Sequence, residues 1–415
     1  MIDPGRPRPA KRTALRRSLS LPLITLYGLG TTVGAGIYVL VGEVASRAGM
    51  FAPVSFLAAS VIIALTAFSF AELSSRYPKS AGEAVYVHAG FGWPQLAVGI
   101  GFLVVFTGLV SSAAIVNGFV GYLNELIVLP RWLAIVLVVA VLGITAAIGI
   151  SQSVTVAAII TMVEVGGLVF VIWVARDAFV DLPARVPEML PPWEAGVWAG
   201  ILSGSVLAFF AFIGFEDMVN VAEEVKTARR TLPVAIILTL GITTVLYMMI
   251  ATVAVVVLPP DVLAGSEAPL ALIYTQATGA PATVISLIAL VAVLNGALIQ
   301  IIMGSRVLYG LSAEGWLPAI VGKIDPRTRT PVIATGIATG IVLALALLLP
   351  LVTLALTTSM TILVVFAIVN LALWRIKGQD PKPQGVMTFP RWIPGAGFLA
   401  NVAFVGFQIV RWAGG

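Results

Sequence analysis

This chain of 415 residues has few side chains with which to do chemistry. It has one histidine, His88, and no cysteine, which excludes an imidazole cluster for zinc or iron, a thiolate-held metal and a disulfide. Its acids fall mainly near the ends of apolar stretches, with one clear exception. Glu164 lies in the middle of Ile160-Thr161-Met162-Val163-Glu164-Val165-Gly166-Gly167. A carboxylate in hydrocarbon is costly when ionised, so it must be neutralised by a proton, a cation or a nearby donor. Such a residue either titrates, tying proton movement to another event, or stays protonated as a structural glutamate. The remaining chemistry belongs to the backbone. Gly28-Leu29-Gly30-Thr31-Thr32-Val33-Gly34-Ala35-Gly36-Ile37-Tyr38 and Phe209-Phe210-Ala211-Phe212-Ile213-Gly214-Phe215-Glu216 are glycine-broken apolar segments at matching places in the two halves. A helix interrupted in lipid survives only where its freed backbone groups line a cavity, and such a pair points to a transporter's substrate site.

Each break exposes amide hydrogens at the new helix N-terminus and carbonyl oxygens at the new C-terminus. Amides around Gly34, Ala35 and Gly36 could hold a carboxylate, while carbonyls of Phe210, Ala211 and Ile213 could hold an ammonium. Both poles, presented without formal charge, suit a zwitterion, and an α-amino acid is the simplest one. Phe209, Phe210, Phe212 and Phe215 would supply apolar walls and a gate, or else ordinary core packing. For Gly30, Gly34 and Gly36 the competing explanation is close helix packing of the Gly-x-x-x-Gly kind.

These segments need a membrane to sit in, and the composition supplies it. With 59% hydrophobic residues, 10% charged residues and a mean hydropathy of +1.05, the chain cannot coat a water-soluble globule of its size. Apolar windows of about 20 residues fall near 21–45, 52–74, 94–123, 132–150, 153–175, 196–220, 233–257, 283–310, 332–349, 352–374 and 392–411, which predicts about eleven helices. The basic tail (Arg6, Arg8, Lys11, Arg12, Arg16, Arg17) precedes the first span, which is expected to be retained rather than cleaved. With that tail cytoplasmic, nineteen of the 24 basic residues fall on the cytoplasmic side and only Arg47, Arg131, Arg176, Arg185 and Arg411 on the other. This follows the positive-inside rule and explains the pI of about 9.6 without nucleic acid. One membrane domain in the cell membrane, with a cytoplasmic N-terminus and no cofactor, is expected.

Five spans begin at each glycine break, so the second set must insert upside down relative to the first. This is the inverted-repeat layout of many secondary transporters. The first repeat is expected at about 21–175, the second at about 196–374, and one extra helix at about 392–411.

The chain resembles the amino acid, polyamine and organocation (APC) superfamily of transporters, particularly bacterial relatives of the cationic amino acid transporters. The likeness rests on Val33 to Tyr38, on Ala71-Glu72-Leu73-Ser74-Ser75-Arg76-Tyr77-Pro78-Lys79-Ser80-Ala81-Gly82-Glu83-Ala84, on Phe209 through Pro233, and on Ser305 to Gly310 leading to Glu314-Gly315-Trp316-Leu317-Pro318. It implies the LeuT-type fold and alternating access. Carried onto matching positions, the resemblance implies substrate carboxylate at Ala35 and Gly36, in a candidate binding segment that also takes in Gly34 and Ile37. It implies ammonium at Thr32, Phe210, Ala211 and Ile213, within a segment that includes Phe212 and Gly214, and a gate at Phe210. Two departures matter. Where related cationic transporters place a glutamate in the third helix, this chain has Thr107, which favours neutral substrates. Where proton-coupled relatives can carry a lysine, it has Glu164.

The expected activity is secondary transport of neutral or varied amino acids, coupled to protons through Glu164 or running as exchange. The eighth helix lacks the adjacent mid-helix hydroxyls that a sodium site would want. Polyamine or other organic-cation transport is the alternative within the carrier class; a channel or substrate sensor is the alternative outside it. An intramembrane enzyme would need clustered acids, histidines or a metal set. Arg76, Glu223, Glu224 and Arg306, at cytoplasmic helix ends, could pair to close an inner gate.

Overall fold

The computed structural model describes residues 19–79, 82–149, 154–313 and 317–414. The basic tail and the motif residues Ser80, Ala81, Glu314, Gly315 and Trp316 lie outside the described residues. Apolar runs become helices because, in lipid, a helix satisfies every backbone group internally. In chain order they are α1 (Leu21–Thr32), α2 (Ala35–Ala48), α3 (Ala52–Arg76), α4 (Gly82–Phe91), α5 (Pro94–Asn124), α6 (Arg131–Ile148), α7 (Val154–Val174) and α8 (Ala178–Arg185). There follow α9 (Ala195–Phe212), α10 (Ala228–Val257), α11 (Pro260–Ala264), α12 (Pro269–Thr278), α13 (Thr283–Ala313), α14 (Val332–Leu348), α15 (Leu351–Gln379) and α16 (Trp392–Gly414). Among the described residues the only extended pairing is an isolated bridge between Leu19 and Val225.

Nine stretches among the described residues are long and apolar enough to cross a bilayer. One of them, Ala35–Arg76, has 42 residues. At ~1.5 Å per residue that is about twice the hydrocarbon thickness. It turns at the 3₁₀ segment Gly49–Phe51 and so makes two passes, the first shared with α1. Adding the 17-residue apolar helix α14 gives eleven passes, as the hydropathy windows predict. The chain is an all-helical, multispanning membrane protein.

Both predicted breaks are present. Between α1 and α2 the chain is extended at Val33 and Gly34, and after α9 it turns at Gly214 into a 3₁₀ helix, Phe215–Glu224. α2 packs on α9, and α1 packs on the 3₁₀ segment. The first half of one broken helix therefore meets the second half of the other, and the two run antiparallel, as inverted repeats require. Their far ends are tied by Leu19 N–H to the Glu224 carbonyl (3.0 Å) and Lys226 N–H to the Leu19 carbonyl (2.8 Å).

The end of the bundle beyond this tie holds a buried ionic cluster. Glu72 of α3 accepts from Arg76 one turn on (2.7 Å), from Lys377 of α15 (2.7 and 2.8 Å) and from the Phe389 N–H (2.9 Å). Glu72, Arg76 and Lys377 are all nearly inaccessible to solvent. Nearby, Ser75 donates to the Arg229 carbonyl and accepts from Met387 N–H, so the segment before α16 is strapped across the end of α3. Deeper in the membrane, Asn370 of α15 and Asn401 of α16 both donate to Thr66 of α3. Such interhelical hydrogen bonds hold α16 where hydrophobicity cannot distinguish helix from lipid.

Glu72→Ala leaves two buried cations uncompensated and should cost about 3–5 kcal/mol. Lys377→Met leaves Glu72 paired with Arg76 and should cost clearly less. Thermal unfolding of the purified variants tests this order, and a larger loss for Lys377→Met would refute it.

Candidate substrate site

The two breaks face each other across very little space. Gly36 lies against Ala211: a Cβ at Gly36 would sit 2.3 Å from the Ala211 Cα. Gly214 has φ +122, a conformation side chains resist, and a Cβ there would lie 2.1 Å from the Thr31 carbonyl oxygen. Gly30 makes room for α7, since a Cβ would collide with the Thr161 hydroxyl at 2.1 Å. The packing explanation therefore holds for Gly30, while Gly36 and Gly214 bring the two breaks together.

Side chains stitch the breaks. The Thr31 hydroxyl lies within donating reach of the Gly214 carbonyl (2.9 Å) and of the Gly28 and Tyr27 carbonyls of its own helix (3.1 and 3.2 Å), and Thr32 Oγ1 donates back to the Gly28 carbonyl (2.7 Å). The Tyr247 hydroxyl of α10 lies 2.9 Å from both the Thr32 and the Ala211 carbonyl oxygens. Having one proton, it donates to one of them at a time. Gly214 N–H donates to the Glu216 carboxylate (2.8 Å).

What these bonds leave open is a cavity of about 40 Å³. Its wall comprises Gly30 to Gly36, Phe210 and Ile213 from the breaks, Ser111 and Ile115 of α5, and Ala292, Val293, Gly296 and Gln300 of α13. No ionisable side chain is among them. The amides of Ala35, Gly36 and Ile37 form the first turn of α2, where no intrahelical acceptor exists.

The predicted site residues separate into two groups. Thr32, Gly34, Ala35, Gly36, Phe210 and Ile213 line the cavity. Ile37, Thr107, Ala211, Phe212 and Gly214 do not. The Ile37 side chain is buried in the core, although its amide belongs to the open turn. Thr107 donates to the Leu103 carbonyl of its own helix, and the α5 wall is formed one turn on, at Ser111. Ala211 is turned towards Gly36 and Tyr247, and the Gly214 carbonyl is engaged by Thr31. Of the four phenylalanines only Phe210 reaches the cavity. Phe212 packs edge-on against Tyr247, and Phe209 and Phe215 pack on Phe366.

Glu164 is fully buried on α7 behind Gly30: a Cβ on that glycine would be 3.6 Å from its Oε2. Among the described residues neither carboxylate oxygen makes a close hydrogen bond; the polar group beside it is the Asn295 side chain of α13, whose Oδ1 is likewise unpaired. The Tyr38 hydroxyl donates to the Glu164 carbonyl (2.6 Å), so α7 touches both halves of the first broken helix.

The residues expected to pair at an inner gate are not paired with one another in this conformation. Arg76 is committed to Glu72, with the exposed Asp380 at 3.8 Å, and no ion pair among the described residues involves Glu223, Glu224 or Arg306. Proximity to helix ends in sequence does not bring these residues within pairing distance. The acids are also less peripheral than expected. Glu83, Glu216 and Asp217 are buried, and Asp217 accepts a long bond from Gln300 Nε2 (3.4 Å) at the cavity wall.

Comparison with known proteins agrees with this geometry. The profile of a family described as amino acid permease matches residues 19–412. The chain belongs to the amino acid permease family. It is therefore an APC-superfamily transporter with the LeuT-type fold of two inverted five-helix repeats and one further helix, and not an enzyme. Among the permease's relatives is the branched-chain amino acid permease BcaP of Bacillus subtilis, 28% identical over 78% of this chain and 72% of that protein. The mitochondrial cationic amino acid transporter 3 of Arabidopsis thaliana is 34% identical over 78% of this chain, which matches 56% of its length. A methylthioribose transporter of B. subtilis is 28% identical over 97% of this chain and 89% of that protein. The permease transports amino acids across a membrane.

Sequence reasoning did not single out Ser111, Gln300 or Tyr247 as site residues. Gln300 and Tyr247 stand as polar groups deep within apolar helices, which was the available signal. Gly36→Ala should lower uptake by ~10-fold or more, since overpacking at a contact with rigid backbone costs ~1–3 kcal/mol. Gly99→Ala, where a Cβ meets nothing within 4 Å, serves as the control. Equal uptake by the two variants would show that the close contact at Gly36 is unimportant.

Proposed function

We propose that this permease is a secondary active transporter of neutral or varied amino acids, working by alternating access. The observation that carries the reading is the cavity wall: two helix breaks of opposite polarity and no ionisable side chain. On this reading the first-turn amides of α2, at Ala35, Gly36 and Ile37, take the substrate carboxylate. Carbonyls of Thr32, Phe210 and Ile213 take the ammonium. Ile115, Phe210, Ile213 and Val293 give the substrate side chain an apolar wall, with Ser111 and Gln300 as its polar contacts, and Phe210 acts as a gate. A cavity of about 40 Å³ holds only a few waters at most, so an amino acid enters when the wall parts. Relatives named for branched-chain and cationic amino acids support the common α-amino acid part of the ligand. The lack of a wall carboxylate favours neutral side chains over a polyamine, whose several ammonium groups would need anions.

Glu164 is the proposed coupling group. Among the described residues it has no ion-pair partner, Asn295 is the polar side chain beside it, and a single glycine separates it from the cavity. A carboxyl so placed is best occupied by a proton, and losing that proton would disturb α1 directly. The strongly basic end is proposed to be cytoplasmic in the cell membrane.

Two experiments test the reading. In proteoliposomes, Glu164→Gln is expected to make uptake independent of an imposed proton gradient; full retention of that dependence would remove Glu164 from coupling. Replacing sodium by choline should leave uptake unchanged. In a thermal-shift screen, neutral amino acids should raise the melting temperature of the purified permease. Stabilisation by polyamines alone would replace the zwitterion reading with organic-cation transport.

A further inference from the structure

A second cavity, of about 740 Å³, lies at the end of the bundle opposite the Glu72 cluster. Val39 and Glu43 of α2, Asn117 of α5, Arg131 of α6, Glu267 and the turn between α14 and α15 line it. One side chain spans the elements around it. Arg131 Nη1 is 2.6 Å from Glu267 Oε1, and its Nη2 donates to Asn117 Oδ1 at 2.8 Å. Asn117 is buried, and its Nδ2 reaches the Ala346 and Leu349 carbonyls at 3.2 and 3.4 Å. Arg131 therefore gathers α5, α6 and the α14–α15 turn on one side and Glu267 on the other.

Glu267 sits in the connection between α11 and α12, and that hairpin rides on α2. A Cβ at Gly42 of α2 would lie 2.5 Å from the Leu263 carbonyl oxygen. The hairpin also closes onto α5, where Gly121 meets the Glu267 carbonyl as tightly. The hairpin thus packs on α2, whose first turn forms part of the substrate cavity, and it adds to the direct tie that the Tyr122 hydroxyl of α5 makes to the Tyr38 carbonyl of α2. The two partners differ in exposure from the ion cluster at the other end: the side chains of Arg131 and Glu267 are 43% and 59% exposed. An exposed pair contributes little to stability and can break and reform, as a gate must. The buried Asn117 favours reclosure, because its oxygen loses its partner when Arg131 departs.

We propose that Arg131 is a positioning residue of the transport cycle: its bridge to Glu267 clasps the α11–α12 hairpin and α2 against α5, α6 and α14, and its rupture opens the path to the substrate cavity from this end. The inference rests on the alternating-access reading above.

The chain has no native cysteine, so one introduced thiol reports opening without background. Val39 is buried, lines this cavity and lies one turn beyond Gly36, so Val39→Cys is the probe. In detergent, without substrate or gradient, the rate of labelling by a membrane-impermeant maleimide is compared in four proteins: the probe alone, with Arg131→Gln, with Glu267→Gln, and with both. Each single substitution is expected to speed labelling by about two- to five-fold, the population change an exposed ion pair can support. The double substitution should be no faster than the singles, because both remove the same contact. Unchanged rates, or effects that multiply in the double variant, would overturn the clasp. Glu267→Gln, which leaves the Asn117 contact in place, decides the matter if Arg131→Gln does not fold. Because labelling is read without solute, a wrong substrate or coupling assignment leaves this result standing, and a failed clasp leaves those assignments untouched.

Discussion

A backbone amide or carbonyl without a partner in hydrocarbon costs several kcal/mol, and the centre of this permease is organised around that penalty. Two helices are broken at mid-membrane, and several of the freed groups find partners within the bundle. Tyr247 serves either the Thr32 or the Ala211 carbonyl, Thr31 lies within reach of the Gly214 carbonyl, and Glu216 takes the Gly214 N–H. The cavity forms where these internal solutions stop, beside the first turn of α2 and the carbonyl ends of α1 and α9. Antiparallel packing follows from the same need, since it brings helix ends of opposite polarity side by side. A substrate bearing both charges is the complement of what the fold leaves unsatisfied.

The rest of the bundle distributes rigidity unequally around this centre. At the basic end, Glu72 is fully buried between two cations and tied to the Phe389 backbone, so separating α3 from α15 would expose charge to a low dielectric. At the opposite end the joining ion pair is solvated on both sides, and the large cavity already penetrates behind it. On the alternating-access reading proposed above, one costly joint and one inexpensive joint would favour rocking about the costly one. α16 extends the rigid end, because Asn401 and the strap at residues 385–391 bind it to α3.

Much of this was legible in the sequence because glycine and charge are conspicuous in an apolar chain. The breaks at Gly34 and Gly214, the eleven passes and the lone Glu164 all stand out from their neighbours. Rotation and depth did not stand out. The helices that build the site are apolar on every side, so hydrophobic periodicity carries no phase to orient them. Thr107 and Ser111 are one turn apart on the same face of α5, and only the packing of α13 against α5 decides which of them meets the cavity. The run from Phe209 to Phe215 fails for the same reason: rotation of α9 sends Phe209 and Phe212 into the core and leaves Phe210 at the wall, while the turn at Gly214 carries Phe215 into the core. Gln300 and Tyr247 act from helices far away in sequence, so the breaks they serve cannot announce them. Glu223, Glu224 and Arg306 share a predicted end, yet sequence says nothing about which side chains come within reach.

Glu164 shows how burial and proximity combine at one residue. It lies on the opposite side of α1 from the substrate cavity, with only Gly30 between, and its own carbonyl holds the Tyr38 hydroxyl of α2. The same residue thus touches the two segments that must move relative to one another if the first break flexes. Asn295, on the α13 wall that the cavity also uses, presents an unpartnered oxygen beside the carboxyl. A protonated Glu164 could donate to the Asn295 oxygen, whereas an ionised one could only accept from the Asn295 amide N–H, so the proton decides which end of Asn295 meets the carboxyl. Under the proposed mechanism, the proton therefore changes the contact between α7 and α13, and it does so within one residue's thickness of the substrate. Coupling then needs no long relay, because the charge-sensitive contact and the binding site share the glycine-thin wall of α1.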